Sequence, residues 1–247
     1  MRLYGVCALM ALSLVASSGL AAAANAADQP PAGAQPPAAA QPAPGNQPTA
    51  MNMIYEHKHL ANVDQGSAVG YRFNRIVSDP QLLGEPFSDE ITIKIVGAKP
   101  TGEKDVDLQI YTGERARELQ KLASLTINPV FIVYFDLHVS TFAQLTGEKH
   151  GYLRTTFSNA IRDKAKIEPV KLAYKGKTID AYRITMAPYV GDPKAGKMQG
   201  YEGSKFTLVV SDQVPGEIVQ LVSVYESSLK EAPKLEERFT LEGAEVK

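Results

Sequence analysis

Tryptophan is absent, and the single cysteine, Cys7, lies inside the first apolar run. The chain beyond that run therefore makes no disulfide and no thiolate metal site, so its stability has to come from a packed core. An excess of either charge is also missing. The 26 basic and 27 acidic residues leave a net charge of -1, without the basic stripe expected of a nucleic-acid binder. No second stretch approaches the roughly 18 to 20 apolar residues that span a bilayer, so the mature protein is not expected to be integral. Catalytic signatures are missing too: there is no G-x-S-x-G, no H-E-x-x-H and no complete G-x-x-x-x-G-K-[ST] phosphate loop.

What is present at the start of the chain is an export signal. Arg2 supplies one positive charge, Leu3 to Leu20 form an apolar run, and Ala24-Asn25-Ala26 is a small-x-small cleavage pattern. Residues 1–26 read as a signal peptide cut after Ala26, which places the protein in the periplasm; the alternative, a retained anchor, is disfavoured by the short run. Cys7 is too far inside the signal to be a lipid attachment site. Residues 27–50 contain 8 Ala and 7 of the chain's 16 Pro with a single charge, Asp28, and predict a disordered tether with a polyproline bias. Residues 51–247, uninterrupted by any further linker, predict one domain.

Within that domain several segments alternate as half-buried strands do. Val69, Tyr71 and Phe73 share a face, as do Ile91, Ile93 and Ile95, and Val106, Leu108 and Ile110. Val170 to Tyr174 and Tyr182 to Met186 flank Lys175-Gly176 and predict a hairpin. Phe206 to Val210 leads through Pro215-Gly216 into Ile218 to Tyr225, which is apolar on both faces and reads as a central strand or a cavity wall. A final strand is expected near Arg238 to Leu241.

The middle of the chain is helical. Asn128 caps, Pro129 takes the first helical position, and the helix runs from Val130 to Thr146 with Gly147 as its stop. Phe131, Phe135, His138, Phe142 and Leu145 fall on one stripe, yet the first turns are apolar almost all round, which implies deep burial. Tyr152 to Lys164 is a second amphipathic helix. The fold class is α+β: a curved, mostly antiparallel sheet of seven or eight strands wrapped on a central helix-turn-helix insert.

Residues with chemistry are few. His57-Lys58-His59 offers two imidazoles where a metal site needs three or four ligands, and reads better as an exposed basic patch near the tether. Asp136, Ser140 and Gln144 form a polar seam at steps of four, with His138 hydrogen-bonded to a strand; the sharper alternative makes His138 a polar handle inside a ligand cavity. Glu168, Glu202 and Glu217 are carboxylates of the kind glycan hydrolases pair, but no spacing selects two of them. Tyr152, Tyr174, Tyr182, Tyr189, Tyr201 and Tyr225 are equally suited to stacking on sugars and to strand packing. The loop Pro188 to Gly203, with Lys194 and Lys197, is long enough to carry binding function.

A signal peptide, a mature chain without cysteine, strands flanking an apolar helical insert, and Val214-Pro215-Gly216 leading into an apolar strand together resemble the LolA/LolB-type periplasmic lipoprotein-carrier fold and related secreted proteins of Gram-negative bacteria. The resemblance covers residues 66–241 at the level of element order. It implies a tryptophan- or leucine-rich cavity, and this chain has no tryptophan. The leading expectation is a non-enzymatic binding protein holding a lipid-like amphiphile between sheet and helix, lined by Phe131, Phe135, His138, Phe142, Val222 and Val224, with no metal or cofactor. The alternatives are an envelope scaffold that binds protein partners through a sheet edge, and an enzyme acting on cell-wall glycan.

Overall fold

The computed structural model describes residues 48–246. The predicted signal peptide and nearly all of the predicted tether lie outside the described residues. Ala50, the last residue of the predicted tether, is buried.

The elements, in order, are β1 (Ala68–Val77), α1 (Pro80–Leu83), β2 (Phe87–Ala98), β3 (Lys104–Ile110), β4 (Gln120–Leu125), α2 (Pro129–Thr146), α3 (His150–Asp163), β5 (Lys166–Tyr174), β6 (Lys177–Met186), β7 (Lys205–Val210), β8 (Ile218–Tyr225), β9 (Leu235–Leu241) and β10 (Ala244–Glu245). All ten strands join one curved antiparallel sheet in the order β10-β5-β6-β7-β8-β9-β1-β2-β3-β4, with the helical pair inserted mid-chain. The α+β expectation holds, with more strands than the seven or eight predicted. The two additions are edge strands: β4, whose side chains are mostly exposed, and the two-residue β10.

Local chemistry explains the best-defined pieces. The β5–β6 hairpin turns on Lys175 and Gly176, both at positive φ (47° and 74°), the conformation of a two-residue turn matched to strand twist. β3 and β9 bury alternate residues without exception, as a sheet covered on one face requires. α2 is bounded as its sequence implies. Asn128 Oδ1 accepts from the Val130 amide at 3.0 Å, and Gly147, at φ 75°, closes the other end by donating its amide to the Ala143 carbonyl. β8, between β7 and β9, is largely buried on both faces.

Asn128 does more than cap. Its Nδ2 donates to the Tyr71 hydroxyl and to the Gly216 carbonyl, both at 2.8 Å, so one buried side chain ties α2 to β1 and to the turn before β8. Gly216 sits at φ 72°, and a Cβ there would meet Asn128 Nδ2 at 2.7 Å. Replacing Asn128 by alanine removes the cap from the buried Val130 amide and cuts both side-chain ties, to the Tyr71 hydroxyl and to the Gly216 carbonyl, which keeps only the Ile218 amide. The expected loss is about 2–4 kcal/mol, read as a shift of the urea midpoint with unchanged slope. A loss below about 1 kcal/mol would show that water replaces the amide there.

The segment 49–63 closes this end of the sheet. Met53, Ile54, Leu60 and Val63 are buried, and the Leu60 amide donates to the Thr126 carbonyl. His59 corrects the expectation of an exposed basic patch. It is 1% exposed, its Nε2 lies 2.7 Å from the Met53 carbonyl, and its Nδ1 accepts from the Asn128 amide. One nitrogen must therefore donate and the other accept, which is the neutral imidazole, and burial lowers its pKa accordingly. His57 remains half exposed and pairs with Glu217 at 2.5 Å, fastening the same segment to the start of β8.

Candidate functional site

The helix stripe divides into two environments. Phe131, His138 and Phe142 are buried in the main core, while Phe135 is half-buried between the helices, 5.2 Å from Phe157 and beneath the Arg154 guanidinium. Phe142 stacks on Tyr189 at 4.2 Å, and His138 meets the Phe206 ring edge-on at 4.3 Å. Side chains therefore occupy the space over β7 and β8.

Val222 and Val224 belong to the other face of the sheet. Their cross-strand partners are Thr207 and Arg238 for Val222, and Lys205 and Glu236 for Val224. The neighbours that do turn toward α2 are Leu221 and Tyr225, whose partners on β9 are Phe239 and Leu235. The six predicted lining residues thus do not converge on one cavity.

His138 anchors a buried polar chain. Its Nε2 is 2.8 Å from the Tyr189 hydroxyl and its Nδ1 is 3.3 Å from the Tyr225 hydroxyl, which in turn lies 3.2 Å from Glu237. Thr141 on α2 donates to the same carboxylate, and Arg75 on β1 pairs with it directly. Since Tyr225 gives its one proton to Glu237, its oxygen accepts from His138 Nδ1–H, leaving Nε2 to accept from Tyr189. Burial alone drives His138 down to about 3, so it stays neutral. Burial also pushes the Glu237 carboxyl up to about 7, against the lowering pull of Arg75, Tyr225 and Thr141. The sequence marked His138 as polar inside an apolar helix; Glu237 and Arg75 gave no such signal, because their alternation looked like that of any strand.

Other predicted features separate. The seam Asp136, Ser140 and Gln144 is exposed, with Asp136 paired to Arg154 at 2.6 Å. Glu202 and Glu217 precede antiparallel neighbours β7 and β8, so they lie at opposite ends of the sheet and cannot act as an acid–base pair. The long loop is a packed cover: Tyr189, Met198 and Tyr201 are buried, Tyr152 donates to Asp192 at 2.5 Å, and Lys194 pairs with Glu148. Its Gly191 to Lys197 stretch has G-x-x-x-x-G-K spacing, but it ends in Met198 and forms a three-residue 3-10 turn instead of a helix. No amide-lined helix start is available there for a phosphate. Among the described residues no cluster of His, Asp or Glu is suited to a metal.

An apolar-walled space opens at one edge of the sheet. Between α2 and the β3–β4 edge lies a groove of about 230 Å3, with Ile132, Val133 and Leu137 on the helix facing Leu108, Ile110 and Leu122 on the strands. It exists because α2 is apolar nearly all round while the sheet stops at β4, which leaves Ile132 39% exposed. Charge at its rim is one-sided. Asp136 is held by Arg154, whereas Arg117 lies over the Tyr111 ring at 5.5 Å with no carboxylate partner among the described residues. Two larger depressions are open: one beside Asn74 and Arg238 also takes in Ile76, Pro86 and Phe87, and one beside Asp89 and Arg115 is lined mainly by polar side chains.

No family model matches the chain, and no curated protein matches it. Among solved structures, a LolA superfamily protein from Nitrosomonas europaea is similar to it at 10% identity with a TM-score of 0.20, over 81% of this chain and 94% of that one.

Proposed function

We propose that the chain is an exported, non-enzymatic binding protein of the periplasm that shelters the apolar part of an amphiphile between α2 and the β3–β4 edge. The observation that carries this reading is the groove itself. Six aliphatic side chains border it from helix and sheet, with Leu108 and Ile110 as a buried floor, Leu122, Val133 and Leu137 partly buried, and Ile132 exposed at the mouth. Its volume of about 230 Å3 is below the usual range for a whole drug-sized ligand, so it suits one chain of an amphiphile with the head outside. Arg117 at the rim favours an anionic head. Export is supported by Arg2, the Leu3 to Leu20 run and Ala24-Asn25-Ala26, and predicts a periplasmic protein whose N-terminus is Ala27.

The test is native mass spectrometry of the purified protein beside organic extracts, followed by titration with a fluorescent single-chain fatty acid. Ile132→Glu places a charge in the groove at an exposed position, so binding is expected to fall about tenfold or more while the melting temperature changes little. A ligand-free wild type that ignores the fatty acid, or binding equal in Ile132→Glu, would sink the reading. The scaffold alternative has one observation in its favour, the open edge of β4. Lys121 and the irregular pairing at Ser124, which has φ 59°, are features that discourage a partner strand there.

A further inference from the structure

The two ends of the sheet differ. The connections β1–β2, β3–β4, β6–β7 and β8–β9 emerge at one end, since β1 finishes opposite the start of β9 (Val77 with Leu235) and β7 starts opposite the finish of β8 (Lys205 with Val224). The other end is closed by the segment 49–63, with its buried Ile54, Leu60 and His59. Of the seven large apolar residues standing exposed among the described residues, Ile132 belongs to the groove and Val96 to the closed end. All the rest are at the open end: Ile76 at 58%, Leu82 at 63%, Leu119 at 44%, Val190 at 53% and Leu229 at 54% exposed.

Single exposed apolar residues are ordinary, but their collection on the loops of one end is not expected from random placement. Ile76 lies at the end of β1, and the other four stand each on a separate connection beside polar residues: Leu119 follows Glu118, and Leu229 precedes Lys230. A protein interface buries a contiguous apolar centre, whereas separate tips can each enter an interfacial lipid layer independently. A flanking lysine such as Lys230 has an aliphatic stem long enough to keep its charge at headgroup level while a neighbouring tip enters. Acidic residues on the same loops, among them Glu85, Glu114 and Glu231, offset the basic ones, so anionic lipid is not required.

We propose that this end docks the protein on a bilayer surface, with Leu82, Val190 and Leu229 entering the interfacial zone. The proposal does not depend on what occupies the groove. It is tested on the full chain in a Cys7→Ser background, with one cysteine introduced at a time (Leu82→Cys, Val190→Cys, Leu229→Cys or Val96→Cys) and labelled with an environment-sensitive fluorophore. The apolar run Leu3 to Leu20 is itself expected to partition into vesicles, so a position-resolved signal is needed. With phosphatidylcholine vesicles the emission is expected to shift to the blue at the three tips and to stay unchanged at Val96→Cys. The triple variant Leu82→Ser, Val190→Ser, Leu229→Ser should leave the melting temperature of the full chain unmoved, and in a chain starting at Ala27, as predicted for the exported form, it should weaken vesicle binding about tenfold or more. Unshifted emission at all three tips overturns the proposal, as does an equal shift at Val96→Cys. Tips that stay wet on vesicles, with a dimer in sedimentation velocity that the triple variant dissolves, would identify this end as a protein interface instead.

Discussion

Replacing Arg75 by methionine is expected to cost the domain about 3–5 kcal/mol at pH 8, because it leaves the Glu237 carboxylate buried without its cation. Glu237 is 1% exposed and accepts from Thr141 and Tyr225 as well as Arg75, so the whole chain from β1 through β9 to α2 turns on its charge. The substitution's cost depends on pH in a definite direction. The folded carboxyl titrates near 7, raised from 4.5 by burial. A group whose folded pKa is raised contributes stability that is complete below its unfolded pKa and is lost as pH rises through the folded one. Wild-type stability from this group is therefore greatest below about pH 4.5 and declines toward pH 7 and above. Without Arg75 the folded pKa rises further, so Arg75→Met loses more at pH 8 than at pH 5.5, where a proton can replace the missing cation. Urea unfolding at the two pH values measures this. Equal losses at both, or a loss below about 1 kcal/mol at pH 8, would mean that water reaches the carboxylate.

The parts of this molecule that were legible in its sequence are those governed by near neighbours. Asn128-Pro129 and Gly147 bound α2 because capping, the fixed φ of proline and the left-handed glycine stop are local. Lys175-Gly176 marks its hairpin for the same reason. β4 escaped because an edge strand has no face to alternate: Gln120, Lys121, Ala123 and Ser124 are all exposed. His59 was misread since its partners, Met53 on one side and Asn128 far along the chain on the other, decide its burial.

The candidate groove was legible only in part. An α2 apolar nearly all round announced more apolar surface than one sheet face covers, which is why a space between helix and sheet was expected. Where that space falls is set by where the sheet ends, and β4 was the strand the pattern concealed. A strand apolar on both faces, such as β8, also cannot reveal which face meets the helix. Register settles it, by placing Leu221 opposite Phe239 and Val222 opposite Arg238.

Phe142→Ala separates the packed core from the groove. Phe142 is fully buried, stacked at 4.2 Å on Tyr189 and 5.7 Å from His138, so truncation removes the wall that holds the Tyr189 hydroxyl against the imidazole. A loss of about 3–5 kcal/mol is expected, the range for deleting a buried phenyl ring whose surroundings relax only partly. The hole would be mainly apolar and dry, so benzene should bind it and restore part of the lost melting temperature in proportion to its concentration. Fatty-acid binding at the groove should survive at temperatures where the variant is folded, since Phe142 does not line that space. A residue lining a ligand cavity behaves in the opposite way: truncation weakens ligand binding and barely moves stability, because the cavity was open beforehand. If Phe142→Ala proves stable but no longer binds the fatty acid, the ligand sits over β7 and β8 after all, and the groove beside β4 is only a surface feature.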